Sequence, residues 1–512
     1  MGGPIKFKEN LRLFEAITII VGSMIGSGIL LLPADMAELL ASPGLILMVF
    51  GAGAVLTIVG ALTFAEMSSM FPRAGGQYHF LKEGMGRFYG YLFGWSQFWV
   101  IQTGIVAGVA VAVSRFTKFF VEELGGKLGG HPVELTQLVD VGPCVQSFAG
   151  ECTKRLIHLD PFTLPPYGDA FVAIAAILVL MGVNMASTRF GGVVQNVSTV
   201  AKVLGLVSLV AIIFIGGSMV DRAYEADGGG LAPEGVGTGG LVVAFGGALA
   251  LSLFAFDGWP QATYVAGEVR NAKRNLPLAL IIGPLITAVV YIALTAAYFY
   301  VIPVDEAVQL GINDERIAPV AAGKVWEYGL VYISAVALVS VFGTVNGFLL
   351  TAPRIFYALS HDGALLPSMG KISGRGTPAW AIYFTALWAS LLVLSGGYQQ
   401  LVTMVVFGIF LFYIPTAIAH MRMRRSHAHI ERPFKTPLYP LLPILFLLAS
   451  AFIVGIILVG SLLQGLIALV LIAIGIPVYF AQRPRMLRVE AERAGEPSAK
   501  VHGDQQADVD VA

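Results

Sequence analysis

The chain has 512 residues, of which 56% are hydrophobic and only 12% are Asp, Glu, Lys or Arg, and its mean hydropathy is +0.77. Ordinary soluble domains carry about 25% charged residues, so a water-soluble enzyme does not fit. The 32 basic residues balance 32 acidic ones, and a net charge of zero points neither to nucleic acid nor to an acidic partner.

Apolar stretches of about 20 residues, long enough to cross a bilayer, recur along the whole sequence. They are expected at 14–40, 45–70, 88–120, 167–186, 192–217, 240–267, 278–301, 328–358, 379–395, 399–421, 440–460 and 463–481. The fold class that follows is an all-α polytopic membrane protein of about twelve transmembrane helices. Residues 1–13 form a cytoplasmic N-terminal segment, 14–482 a single transmembrane domain, and 483–512 a cytoplasmic tail. The tail is polar from about Glu490 and is read as disordered. With the N-terminus inside, about 21 Lys and Arg fall on inner loops against about 8 outside, a strong positive-inside bias that also puts the C-terminus inside. The first apolar run has no small-residue cleavage site, which argues against a removed signal peptide. Cys144 and Cys152 fall in the loop after the third span, on the outer side. They are either a disulfide or two unpaired thiols. No Asn-x-Ser/Thr sequon lies on an outer loop, which favours a prokaryotic source and hence a bacterial inner membrane.

Two of the spans are interrupted at mid-membrane depth. Gly22-Ser23-Met24-Ile25-Gly26-Ser27-Gly28 breaks the first, and Phe256-Asp257-Gly258-Trp259-Pro260 breaks the sixth. A helix broken inside lipid frees N–H and C=O groups that each cost several kcal/mol if unsatisfied, so such breaks persist where a cavity and a ligand meet them. Paired broken helices in corresponding halves of a chain mark a transporter's substrate site. Spans one to five and six to ten each begin with a break, and an odd number of spans per half inverts the halves relative to each other. Spans eleven and twelve are appended.

At the first break the inner half-helix is expected to end near Met24 with free carbonyls, and the outer half to begin near Ser27 with free amides. A solute bearing a carboxylate and an adjacent ammonium fits both ends. The carboxylate goes to the amides of Ser27, Gly28 and Ile29, and the ammonium to carbonyls near Met24, with Ile25 and Gly26 between them also counted as substrate-binding. Phe254, Ala255 and Phe256 end the outer half of the sixth span and offer further carbonyls. The competing reading of the glycines is close helix packing.

In chain order, the polar residues inside the spans are few. Glu66 lies near the inner end of the second span, where a structural salt bridge or cap is expected. Lys202 lies about 15 Å deep, too far to snorkel. It is read as a cation beside the first break that replaces a coupling ion, or else as a tether for freed carbonyls. Asp257 pairs with the substrate ammonium or another cation, or accepts hydrogen bonds from the broken backbone. Trp259, with Phe254 and Phe256, is a candidate side-chain pocket or thin gate. Glu268 and Arg270 are a candidate gate or an interfacial pair, and Asn346 a candidate for the cavity wall. No phosphate loop, zinc spacing, nucleophile elbow or dinucleotide fingerprint occurs, so no catalysis, cofactor or metal is expected.

The motifs resemble the amino acid–polyamine–organocation superfamily. They are Ile20-Val-Gly-Ser-Met-Ile-Gly-Ser-Gly-Ile29, Phe71-Pro-Arg-Ala-Gly-Gly-Gln-Tyr78, Gly86-Arg-Phe-Tyr-Gly-Tyr-Leu-Phe-Gly-Trp95, Phe254-Ala-Phe-Asp-Gly-Trp259, Glu268-Val-Arg-Asn-Ala-Lys-Arg-Asn-Leu-Pro277 and Arg432-Pro-Phe-Lys-Thr-Pro437. They run in order from about Leu11 to Pro437 and are most similar to the L-amino-acid transporter branch, which includes the light chains of heteromeric exchangers. The resemblance implies a LeuT-type five-plus-five inverted repeat with broken helices 1 and 6 and alternating access. It implies carboxylate binding at Ser27 and Gly28 and ammonium binding at the carbonyls of Met24, Phe254 and Asp257. Lys202 matches a family lysine that stands in place of a sodium ion, and Asp257 an acid found in exchangers that accept cationic as well as neutral amino acids. Pro260 stands where relatives often have Asn, and Gln77 where many bacterial relatives have Glu. The paired cysteines do not carry over a heavy-chain disulfide, so a monomer or weak oligomer is expected.

The expected activity is an L-amino-acid permease, an exchanger or a proton-coupled symporter. Its alternatives are a polyamine or organic-cation carrier on the same fold and a non-transporting amino-acid sensor.

Overall fold

The structure is a computed structural model that describes residue 7 and residues 9–127, 167–217, 238–312, 317–395 and 398–494. Cys144 and Cys152 lie outside the described residues. The first span is two half-helices, α1 (Leu13–Met24) and α2 (Gly28–Leu40), followed by α3 (Pro43–Met70) and a short α4 (Gln77–Met85). The third span is α5 (Arg87–Ser96), a π-helical turn at Gln97–Ile101, and α6 (Gln102–Lys127). Then come α7 (Tyr167–Ala186), α8 (Thr188–Gly216), α9 (Thr238–Ala255), α10 (Gln261–Tyr264), α11 (Ala272–Val301), α12 (Val304–Ile312) and α13 (Ile317–Val325). The chain continues through α14 (Gly329–Thr351), α15 (Pro353–His361), α16 (Ala379–Leu394), α17 (Tyr398–Ser426), α18 (Leu441–Gly460) and α19 (Leu462–Ala494).

Among the described residues, nine helical spans are long and apolar enough to cross a bilayer, and α7, α9 and α16 supply three shorter apolar helices. These are the twelve spans read from the sequence. Their ends differ where hydropathy gives no signal. Helix α8 starts at Thr188 rather than 192 because Ser187 caps it, accepting the Arg189 N–H on its hydroxyl at 3.1 Å. Helix α11 starts at Ala272 rather than 278, since its first turn carries Lys273 and Arg274 and so reads as loop. The most substantial difference is at the C-terminus. Helix α19 runs on to Ala494, past the boundary expected at 482. Its polar end is held by an Arg87–Glu490 ion pair at 2.7 Å, and Met486 is buried.

Helix α11 lies along α3 and α1, and α14 along α6, α8 and α1. The inner half of the first span is thereby largely enclosed by other helices, whereas the start of α9 exposes Val242 and Val243. On one side of the bundle Leu11 forms a lone parallel bridge with Val269, its N–H donating to Glu268 O at 2.9 Å and its C=O accepting from Arg270 N–H at 2.7 Å. The segment ahead of α1 is thus stitched to the end of the sixth span.

Candidate functional site

Both breaks are present. Helix α1 stops at Met24, where Ile25 leaves helical geometry at ψ 87°, and α2 resumes at Gly28. The connection is tight, with Gly26 N–H donating to Met24 O at 2.9 Å. Gly28 and Ile29 occupy the first turn of α2, where a helix leaves its amides without intrahelical acceptors. Helix α9 stops at Ala255, and a turn through Phe256–Pro260 leads into the four-residue α10. The two breaks touch. Gly258 has φ +111°, and a Cβ there would sit 2.8 Å from the Ser23 carbonyl carbon; a Cβ on Gly28 would sit 3.0 Å from Ala255 Cα. Only glycine allows both the positive φ and the approach.

Lys202 is fully buried beside the first break. Its Nζ donates to Ile25 O at 2.6 Å, Ser340 O at 2.7 Å and Gly22 O at 2.9 Å, with Thr344 Oγ1 at 3.0 Å. Three carbonyl oxygens match the three protons of an ammonium. Ser340 and Thr344 hydroxyls add further donors to Ile25 O, at 2.9 and 3.0 Å. The cation ties the end of α1 to α14 and, among the described residues, has no carboxylate within ion-pair distance. A buried positive charge and the N-terminal end of α2 meet at one point, an arrangement that attracts an anion.

Tyr291 in α11 was not singled out from the sequence. Its hydroxyl reaches Met24 O at 2.7 Å and Ala255 O at 3.0 Å, bridging the two breaks. Met24 O also accepts from Gly26 N–H, so both of its lone pairs are engaged. The carbonyl expected to be open for an ammonium is therefore covered by a tyrosine in this conformation. Phe254 O is likewise taken, by Asp257 N–H at 3.0 Å. Phe256 packs on Tyr291 and Phe50, with ring centroids 4.9 and 6.4 Å away.

Asp257 is held by fewer groups than Lys202. Its carboxyl accepts the Gly258 N–H and, at 3.3 Å, the Tyr413 hydroxyl, and no ion pair involves it among the described residues. Trp259 is buried in an aromatic cluster, 4.7 Å from Phe64 and 5.5 Å from Tyr413 between centroids. Two small cavities adjoin Asp257. One is lined by Gln97, Gln102, Gln261 and Tyr413, the other by Trp259, Phe410 and Phe446.

The remaining candidates sit elsewhere. Asn346 does not border either of these cavities. It bridges α7 and α8, accepting from Asn184 at 2.9 Å and donating to Gln195 Oε1 at 2.9 Å and Gly191 O at 3.1 Å. Glu268 does not pair with Arg270. It is buried against Arg354 of α15 at 2.7 Å, while exposed Arg270 donates to Glu9 O at 2.8 Å. Arg354 escaped the sequence reading because it lies near a span end, where arginines are ordinary. Glu66 gathers Arg424 at 2.5 Å, His420 at 3.1 Å and Arg432 at 3.2 Å, and accepts the Thr436 N–H at 2.8 Å. It thus anchors the segment that follows α17.

A further polar cluster lies between α4 and the end of α15. Asp362 accepts from Tyr78 at 2.6 Å and Lys82 at 2.7 Å. Burial raises its carboxyl pKa, but the hydrogen bonds from Lys82 and Tyr78 and the lysine charge more than offset this, leaving it below the usual carboxylate value. Burial pushes the neighbouring His79 imidazole down to about 4, so it is neutral at pH 7. Among the described residues no group of three His, Cys, Asp or Glu is placed to hold a metal ion.

Two helices broken at the same depth and in backbone contact, with a buried lysine at one break and a half-buried carboxyl at the other, define a solute carrier of the broken-helix class. The chain belongs to the amino acid permease family, whose pattern it matches over residues 11–478. It is 32% identical to the human b(0,+)-type amino acid transporter 1 over 451 residues, covering 87% of this chain and 82% of that one. It is 26% identical to the serine/threonine exchanger SteT of Bacillus subtilis (strain 168) over 483 residues, 93% and 98% of the two chains. To the rat large neutral amino acids transporter small subunit 2 it is 30% identical over 492 residues, 94% and 81%. The protein is an integral membrane amino acid transporter with the LeuT-type arrangement of spans, and not an enzyme.

Proposed function

We propose that the protein exchanges L-amino acids across a bacterial inner membrane by alternating access, with both termini cytoplasmic. The observation that carries this reading is the geometry of the first break: Lys202 Nζ on the Gly22, Ile25 and Ser340 carbonyls, with the amides at the start of α2 immediately beyond. The substrate carboxylate takes the Ser27, Gly28 and Ile29 amides, under the field of Lys202 and the α2 dipole. The substrate ammonium takes Met24 O and Ala255 O, displacing the Tyr291 hydroxyl that now bridges them. Tyr291 is thus a stand-in donor that keeps both carbonyls satisfied when no substrate is present.

Exchange is favoured over proton symport by the way Lys202 is held. Its three protons are matched by three carbonyl oxygens, a fixed tether rather than a group poised to release a proton. Purified protein in liposomes loaded with unlabelled amino acid should take up labelled amino acid in counterflow, with little uptake into empty liposomes even under an inward proton gradient. Strong gradient-driven uptake into empty liposomes would make it a symporter. Saturable binding without flux would make it a sensor.

A further inference from the structure

The first turns of α11 put charge and apolar surface on one face. Lys273, Pro277 and Ile281 follow one another at intervals of four, with Arg274 and Leu278 alongside, so all five share one side of the helix. They line a groove of about 560 Å3 whose other wall is the segment after α17, chiefly Glu431 and Phe434. That wall is firmly held. The Arg432 guanidinium donates to Met423 O at 2.9 Å, His427 O at 3.0 Å and Ile430 O at 3.1 Å, and the Phe434 N–H donates to Ser69 Oγ at 3.4 Å.

Beyond the groove α11 continues the same face with Leu285, Val289 and Ile292, all exposed. From Leu278 to Val289 is about 16 Å of helix, close to the ~15 Å hydrocarbon depth of one leaflet. Leu438 and Leu441, which follow the facing wall in sequence, are exposed as well. Charge gathers at the other end. Lys273 pairs with Glu431 at 3.0 Å, but the two side chains are 56% and 76% exposed, and such a pair holds weakly in water. Arg274 has no side-chain partner among the described residues. Two cations against one carboxylate leave a positive mouth above an apolar wall that leads into the bilayer.

We infer that this groove binds an anionic glycerophospholipid, its phosphate received by Arg274 and Lys273 and an acyl chain laid along Leu278, Ile281, Leu285 and Val289. Basic pockets between spans at a membrane surface take anionic headgroups, and a guanidinium grips a phosphate through paired N–H donors. A soluble phosphate would leave the apolar wall uncovered, and a zwitterionic lipid would leave the spare cation without a counter-charge. The start of α11 lies on the same side as the segment ahead of α1, through the Leu11–Val269 bridge. The lipid therefore belongs to the inner leaflet under the proposed cytoplasmic termini, while the site itself does not depend on that reading. Bound there, the lipid braces α11, which carries Tyr291, against the segment that Glu66 anchors.

The test is native mass spectrometry of the full chain in detergent, titrated with phosphatidylglycerol or with phosphatidylcholine of the same acyl chains. The wild type should retain the first phosphatidylglycerol about tenfold more tightly than phosphatidylcholine. The double variant Lys273→Gln/Arg274→Gln, at two exposed positions, should bring the two lipids level. Ile281→Trp, which fills the groove without changing charge, should weaken both. Excess glycerol 3-phosphate should displace neither. Equal retention of the two lipids by the wild type overturns the site, whatever the variants do. So does a preference that survives the double variant, or one that Ile281→Trp leaves intact, which would make the binding general surface attraction. Displacement by glycerol 3-phosphate would make this a soluble-anion site, and pairing of protein copies through the groove would assign it to a second chain; either overturns the lipid. Binding is read without flux, so its failure leaves the exchange reading standing.

Discussion

The two helix breaks solve the same physical problem in opposite ways. At the first, the freed carbonyls of Gly22, Met24 and Ile25 are covered by donors from three other helices: Lys202 of α8, Ser340 and Thr344 of α14, and Tyr291 of α11. At the second, fewer donors converge: the Asp257 carboxyl accepts the Gly258 N–H and a 3.3 Å contact from Tyr413. A site covered from several helices is rigid and, under the proposed reading, suits the part of the ligand that never changes, the α-carboxylate and α-ammonium. A site with fewer fixed partners can adjust to the part that varies. The difference suggests a division between recognition of the amino-acid backbone and reading of the side chain.

The largest effect that would break this comparison is at Lys202. Lys202→Ala removes the donor of three buried carbonyls, each costing about 1–3 kcal/mol when unmet. Uptake should fall by about 100-fold or more, roughly 3 kcal/mol in transition-state terms, for every amino acid alike. Unchanged uptake with an unchanged pH profile would remove Lys202 from the mechanism. Next, Asp257→Gly should weaken cationic substrates about tenfold, the loss of one charge-assisted contact, and neutral ones much less. Equal losses would return Asp257 to a structural role. Tyr291→Phe sharpens the first break rather than breaking it. Without the hydroxyl the substrate ammonium has no competitor for Met24 O and Ala255 O, so KM should change about three- to tenfold for neutral and cationic substrates together, with a small loss of thermal stability.

The smallest effect lies away from both breaks. Asp362 has a depressed carboxyl pKa, so its bonds to Lys82 and Tyr78 contribute fully above the ordinary carboxylate value and are lost as pH falls through the lower folded value. Asp362→Asn should therefore melt a few degrees lower than the wild type at pH 7, and the gap should close on acidification below about 4. A gap independent of pH would mean that packing, not charge, holds α4 to α15.

The sequence made the architecture legible because hydropathy and glycine are local signals. Twelve apolar spans, two interruptions and a lysine too deep to snorkel can each be read from a short window. The partners of those groups were not legible, because they come from distant segments. Tyr291 is one tyrosine in a long apolar helix, and nothing nearby reports that its hydroxyl reaches two breaks. Asn346 was read as a candidate for the cavity wall and Glu268 as a gate or interfacial pair, yet their neighbours, Gln195 and Asn184 for one and Arg354 for the other, depend on helix packing. Gln97, Gln102 and Gln261 did carry a signal. Neutral amides at membrane depth are also expensive, and weighing only the charged residues passed over them. The end of α19 was missed for a different reason, since Arg483 to Glu492 has the composition of a solvated tail and becomes helix by docking.

The way Lys202 is held has a bearing on energetics. A sodium ion on the carbonyls of Gly22, Ile25 and Ser340 could dissociate on the far side and draw down a gradient with each cycle. Under the proposed exchange reading the Lys202 ammonium keeps its proton through the cycle, and a charge so retained can stabilise a state but cannot perform work against a concentration difference. A carrier built this way should be indifferent to external salt identity, and net accumulation has to be driven by whatever pool of amino acid the cell offers in return.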